Sequence, residues 1–159
     1  MDKKRRRFVV LFLFLSVTIT ASVIFFLSLP KELVFADAES GKKYGVWMVT
    51  DGDEFSIEFI HSVNQSPVRD FFKIEGKLIL PVATRFNSFG AGMQTDLEKG
   101  QKITRDSEGN MVITGFSQTF KELNYIVGTV SDHVLFIHNE RISLRELCGK
   151  NAHIIIRVK

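Results

Sequence analysis

Glu54-Phe-Ser-Ile-Glu-Phe-Ile-His-Ser62 alternates between apolar and polar residues. Phe55, Ile57 and Phe59 fall on one side, and Glu54, Ser56 and Glu58 on the other. A period of two belongs to a β-strand with one wet face. Short β-branched and aromatic runs recur at 33–36, 44–50, 69–75, 77–84, 111–114, 124–130, 133–138 and 153–158. Turn signals separate them: Glu39-Ser-Gly-Lys42, Asp51-Gly-Asp53, Glu75-Gly76, Glu98-Lys-Gly100, Asp106-Ser-Glu-Gly-Asn110, Ser131-Asp132 and His138-Asn-Glu140. Short strands joined by tight turns predict an all-β domain, an antiparallel sandwich or a small barrel. One short helix is expected near the C-terminus. Ser143 caps it, Glu146 completes a capping box and Gly149 ends it.

A different pattern precedes this domain. Lys3, Lys4, Arg5, Arg6 and Arg7 form a basic run, and Phe8–Leu29 follows as 22 residues without a charge. A helix of that length spans roughly 30 Å of hydrocarbon at about 1.5 Å per residue. The reading is a basic cytoplasmic tail over 1–7, a transmembrane anchor over 8–30 that contacts the bilayer through 8–29, and an extracytoplasmic β-domain over 31–159. Basic flanks stay in the cytoplasm, which sets the orientation. Val34 and Ala36 are small enough for a signal-peptidase site, but Leu33-Val-Phe-Ala36 reads as the first strand, so an uncleaved anchor is expected. No cysteine follows the segment closely, which excludes lipoprotein processing.

Composition narrows the function classes. Of 159 residues, 45% are hydrophobic and 25% charged, values foreign to a disordered chain or a polytopic membrane protein. The single cysteine, Cys148, excludes an intramolecular disulfide and any cysteine-cluster metal site. Net charge is +3, but residues 1–7 hold five of the 21 basic and one of the 18 acidic residues. The remainder has 16 basic and 17 acidic residues, a balance of −1 that offers no surface for nucleic acid. Ten of the 15 phenylalanines lie outside the anchor and read as core.

Two segments stand out. The first is His61-Ser-Val-Asn-Gln-Ser-Pro-Val-Arg-Asp70. If 54–62 and 69–75 form a hairpin, the apolar residues are odd on one strand (Phe55, Ile57, Phe59) and even on the other (Phe72, Ile74). Partners must then sum to an odd number. With Pro67 in the turn and Ser62 opposite Arg69, Phe59 meets Phe72, Ile57 meets Ile74 and His61 meets Asp70 on the core face. This pair reads either as a hydrogen-bonded polar pair closing the sheet end or as a base and its orienter acting with Ser62 or Ser66 as nucleophile. Ser62 points away from His61 in a regular strand, so the first reading is preferred and no residue is assigned to catalysis.

The second segment is Arg85-Phe-Asn-Ser-Phe-Gly-Ala-Gly-Met93. Its glycines permit a tight backbone with N–H groups turned toward an anion, or a bulged connection between strands. His133 and His138 are five residues apart and face opposite sides of a strand, a poor spacing for a metal. No metal or cofactor is expected.

Together, Phe55-Ser-Ile-Glu-Phe-Ile-His-Ser-Val63, Ser66-Pro-Val68, Asp70, Phe72 and Phe86-Asn-Ser-Phe-Gly-Ala-Gly-Met93 resemble a small bacterial family of unknown function. Its members carry HSV, PV and SFGAG motifs and are often encoded beside tripartite ATP-independent periplasmic (TRAP) transporters of the TAXI subclass. This chain has Asn64 where the family often has an acid, Asp70 for its usual Glu, and Gln94 where Pro is common. The resemblance implies an extracytoplasmic accessory protein whose partner is the transporter's membrane subunit or its solute-binding protein. His61, Ser62, Asp70, Arg85, Ser88, Gly90 and Gly92 are the expected partner or small-anion site. A hydrolase using His61 and Asp70 with a nearby serine, and a stand-alone ligand-sensing module, are the alternatives.

Overall fold

The computed structural model describes residues 3–27, 29–63, 65–87 and 97–159. The chain divides into two units, Met1–Pro30 and Lys31–Lys159. The first is a single helix, α1 (Lys3–Leu27), which takes in the basic run as well as the apolar stretch. Lys3–Val23 is long and apolar enough to cross a bilayer. Its hydroxyl groups are compatible with hydrocarbon because the helix itself satisfies them. Ser16 donates to the Leu13 carbonyl (2.8 Å), Thr18 to Leu15 (2.8 Å), Thr20 to Ser16 (2.9 Å) and Ser22 to Thr18 (2.9 Å).

The second unit is a sandwich of two antiparallel sheets, as the alternation predicts. Its elements are β1 (Lys31–Asp37), β2 (Lys43–Val49), β3 (Glu54–Ile60), β4 (Pro67–Glu75), β5 (Leu78–Phe86), β6 (Lys102–Arg105), β7 (Met111–Thr114), β8 (Glu122–Ile126), β9 (His133–Ile137), β10 (Glu140–Ser143), α2 (Leu144–Cys148) and β11 (His153–Val158). The small sheet runs β2-β1-β11-β8, and the large one β10-β9-β3-β4-β5-β7-β6. Leu33 and Phe35 of β1, with Ile154 and Ile156 of β11, meet Phe55, Ile57, Phe72, Ile74 and Leu135 of the large sheet in one core. Phe55 stacks on Phe72 with ring centroids 5.1 Å apart, and Phe35 meets the edge of Trp47 at 5.2 Å. β6 and β10 escape a reading by alternation because each is four residues with a single aliphatic side chain. Both are outermost strands, where charge protects an exposed edge.

α2 forms where the capping signal placed it. The Ser143 hydroxyl accepts the Glu146 N–H (3.0 Å), and Gly149 turns the chain out at φ 97°. Asp132, from the β8–β9 connection, takes the Arg145 N–H (3.0 Å) and the Ser143 hydroxyl proton (2.6 Å), completing the cap from outside the helix.

The β3–β4 hairpin corrects one expectation. Core parity holds, but partners sum to 127: Phe55 faces Phe72, Ile57 faces Asp70, Glu58 faces Arg69 and Ile60 faces Pro67. His61 and Asp70 are therefore not opposite each other. The turn occupies His61–Ser66, with His61 N–H donating to Ser66 O and Gln65 N–H to His61 O, both 2.9 Å. Gln65 adopts φ 49°. Pro67 opens β4 instead of sitting in the turn, a strand position that tolerates the missing N–H. The expected register would have set Phe55 against Gly76. The observed one gives it Phe72 and pairs Glu58 with Arg69.

β1 is one of the two inner strands of the small sheet, and Leu33, Val34, Phe35 and Ala36 are each 0% exposed. Cleavage after Ala36 would remove this strand. A chain beginning at Lys31 is expected to unfold cooperatively in urea, and one beginning at Asp37 to show no cooperative transition. A cooperatively folded Asp37–Lys159 chain would show that β1 is dispensable.

Candidate functional site

Polar side chains gather on both faces of β4, because consecutive strand residues point to opposite sides. Asp70 points inward. A bulge in β5 sets its neighbour: Phe71 pairs with Ala83 but Phe72 with Pro81, leaving Val82 extra. The bulge switches the inward positions of β5 from odd to even, so Ile79 and Pro81, then Thr84 and Phe86, face the interior. Thr84 lies opposite Asp70, and its hydroxyl donates to Asp70 Oδ1 at 2.7 Å.

Asp70 and Thr84 line a cleft of about 330 Å³ between β4, β5, β8 and the segment 116–120. Phe72, Phe116, Phe120 and Tyr125 supply aromatic walls, and Gln118 and Asn124 supply amides. Among the described residues, no cation lies within 4 Å of Asp70. Burial raises its carboxyl above the ordinary carboxylate value, and the Thr84 hydrogen bond offsets only part of this. Tyr125 is the other titratable group lining the cleft. Its phenol is raised first by burial and then by the nearby Asp70 charge. Behind Tyr125, the His133 ring meets it edge-on at 6.0 Å and packs against Phe59 at 5.2 Å. His133 Nδ1 accepts the Gly128 N–H (3.0 Å), and burial holds this imidazole below its ordinary value.

Arg69 points outward. Its guanidinium lies 3.8 Å from the Phe136 ring centroid and 5.1 Å from that of Phe71. Nε donates to the Ser56 hydroxyl at 2.8 Å, and Ser56 beneath it is only 3% exposed. Among the described residues, no carboxylate comes within 4 Å of Arg69 and no acceptor meets Nη1 or Nη2. Burial, with Arg85 as a like-charged neighbour, lowers this guanidinium below its ordinary value, while Glu58 opposes the shift.

Arg69 lines a groove of about 600 Å³. Arg141, opposite Phe136 on β10, lines it too. The groove's acids are engaged or face a cation. Asp53 takes the Thr50 N–H (2.8 Å), Glu140 takes the Trp47 indole N–H (3.4 Å), and Glu54 faces Lys73 across the ladder.

Of the expected site residues, the described ones, His61, Ser62, Asp70 and Arg85, do not come together. His61 and Ser62 lie in the β3–β4 turn, where His61 Nδ1 accepts the Val63 N–H at 3.3 Å and Ser62 is exposed. Arg85 faces outward beside Arg69, but its charge is spent on Asp106 (2.7 Å) and Glu108 (2.5 Å). Ser88, Gly90 and Gly92, with Asn64 and Gln94, lie outside the described residues. Arg69, Thr84 and Tyr125 escaped the reading. The one local signal for Arg69 was Phe71, two residues on and on the same strand face; Phe136 comes from β9 and leaves no trace near it in the sequence. Thr84 was hidden by the bulge, which reverses the parity of β5. Among the described residues, no three His, Cys, Asp or Glu side chains are placed to hold a metal ion.

Residues 55–144, more than half of the chain, match the domain of unknown function DUF1850, and the chain belongs to that family. No curated protein and no solved structure matches it significantly.

The Asp70 carboxyl carries a testable sign. Its folded value is raised, so the folded chain holds the proton more tightly than the unfolded chain does. Stability therefore falls as pH rises from the ordinary carboxyl value of 3.8 toward the raised one, and this loss is complete above it. Asp70→Asn keeps an acceptor for Thr84 and removes the charge. Thermal melts should show the variant a few degrees more stable near neutral pH, with the gap closing toward pH 4. A variant less stable than wild type at neutral pH would contradict this account.

Proposed function

We propose that this DUF1850 chain is a membrane-anchored extracytoplasmic accessory protein of a solute transporter, and that the outer face of its large sheet binds a small organic anion. The tether and the partner rest on the apolar helix and on the resemblance to proteins encoded beside TAXI-class TRAP transporters. Anchoring raises the effective concentration at a membrane partner, so a weak contact suffices.

The binding chemistry rests on one observation, the held but open fork of Arg69. Two aromatic contacts and the Ser56 hydrogen bond fix the guanidinium plane, leaving both terminal nitrogens for a carboxylate. Preorganisation of this kind lowers the entropy cost of a bidentate ion pair. Arg141 on the far side of Phe136 adds a second positive charge. This assignment moves the anion site from Arg85, whose fork is filled by Asp106 and Glu108, to Arg69.

Two measurements test the reading. Affinity purification of the intact chain from its own membranes, in mild detergent with mass spectrometry, should recover a transporter membrane subunit or solute-binding protein. Recovery of neither, from intact membrane-bound chain, would count against the accessory role. Calorimetric titration with acetate, succinate and phenylacetate should detect binding that Arg69→Lys weakens about tenfold, because an ammonium cannot present a planar fork. Equal binding by wild type and Arg69→Lys would remove Arg69 from the site.

A further inference from the structure

The cleft on the inner side of β4 has the opposite character to the Arg69 groove. It combines one carboxylate, Asp70, with the aromatic side chains of Phe72, Phe116, Phe120 and Tyr125. The face of an aromatic ring carries the negative side of its quadrupole, which attracts a cation and does nothing comparable for an anion. Among the described residues, the Asp70 carboxylate accepts one hydrogen bond, from the Thr84 hydroxyl, and no lysine, arginine or histidine pairs with it within 4 Å.

A carboxylate enclosed by apolar surface without a counter-charge is costly in the folded chain. Two other half-buried acids of this domain are paired with a cation, Asp51 with Lys31 at 2.5 Å and Asp106 with Arg85 at 2.7 Å, while Asp37 takes three hydrogen-bonding partners and Asp132 two, where Asp70 has Thr84. The cleft volume of about 330 Å³ lies near the lower end of the range for small-molecule sites, roughly 300–1,000 Å³.

We infer that this cleft binds a small organic cation, a substituted ammonium, with Asp70 as counter-ion and the aromatic side chains as its walls. Gln118 and Asn124 can then take a polar substituent on the ligand. The site is separate from the Arg69 groove and stands independently of anion binding there.

Choline and its uncharged carbon isostere 3,3-dimethyl-1-butanol separate charge recognition from simple filling of an apolar cleft. The full chain in maltoside detergent is titrated with each by calorimetry, with aromatic-proton NMR as a second readout. Choline should bind at millimolar concentration or tighter, should shift the Tyr125 resonances, and should bind at least about tenfold more tightly than the isostere. Asp70→Asn should lose that preference, while still melting cooperatively. Equal binding of both probes, no binding of choline at millimolar concentration, or an unchanged choline affinity in a folded Asp70→Asn chain would each overturn the proposal. If the variant does not fold, the comparison of the two probes on the wild-type chain decides alone.

Discussion

Burial of β1 between β2 and β11 is the constraint on which the rest of the sandwich depends. Leu33 and Phe35 project into the main core, while Val34 and Ala36 pack with Ile155 on the other face of the sheet. Both faces of the strand are thus dry, which is why the run is uninterrupted by polar residues. β11 supplies the other central strand of this sheet, so segments far apart in sequence close the domain together. A polar tie fixes the joint. Lys31 opens β1 and pairs with Asp51, whose other contact is the N–H of Gly76 in the β4–β5 turn (2.7 Å). The DUF1850 match over 55–144 includes every strand of the large sheet but only β8 of the small one. The matched segment therefore lacks Leu33, Phe35, Val49, Ile154, Ile156 and Val158, and cannot assemble this core alone.

Packing against the small sheet makes the interior positions of the large sheet valuable for apolar side chains. Asp70 and Thr84 nevertheless occupy two of them. They separate the main core from a smaller cluster of Val68, Phe86, Met111 and Ile113. The bulge at Pro81 and Val82 is central to this arrangement. Without it, continued odd parity would turn Thr84 and Phe86 outward and Arg85 inward. One extra residue thus selects which β5 side chains meet Asp70, and sends Arg85 to Asp106 and Glu108 on the outside.

Much of this was legible in the sequence. Alternation at 54–62 gave a strand and its inward face, the turn residues gave the spacing, and Ser143 and Gly149 gave the helix limits. The parity of Asp70 followed from that of Phe72 and Ile74, and its inward direction holds. The register did not follow. Two six-residue turns, one with Pro67 inside and one with Pro67 opening β4, satisfy the same parity, and only the Phe55–Phe72 contact and the placement of Gly76 distinguish them. Tertiary features such as the β5 bulge, and the meeting of Ser56, Phe136 and Arg69 from three strands, have no local signature. They arise from partners separated by long stretches of chain.

Arg69 and Asp70 are consecutive in sequence and belong to opposite faces of the same strand. Burial opposes the charged form of each, raising the carboxyl and lowering the guanidinium. Structural ion pairs in this domain look different. Arg85 is held charged by Glu108 and Asp106, and the Asp51 carboxyl is lowered chiefly by Lys31. In those pairs the folded chain supplies the counter-charge itself. At Arg69 and Asp70 it supplies hydrogen bonds from Ser56 and Thr84 and aromatic surroundings, but no opposite charge within 4 Å among the described residues. A neutral side chain at either place would fold at lower electrostatic cost. Retaining charge there is consistent with a partner that comes from outside the domain: an anion for the outer face and a cation for the inner one.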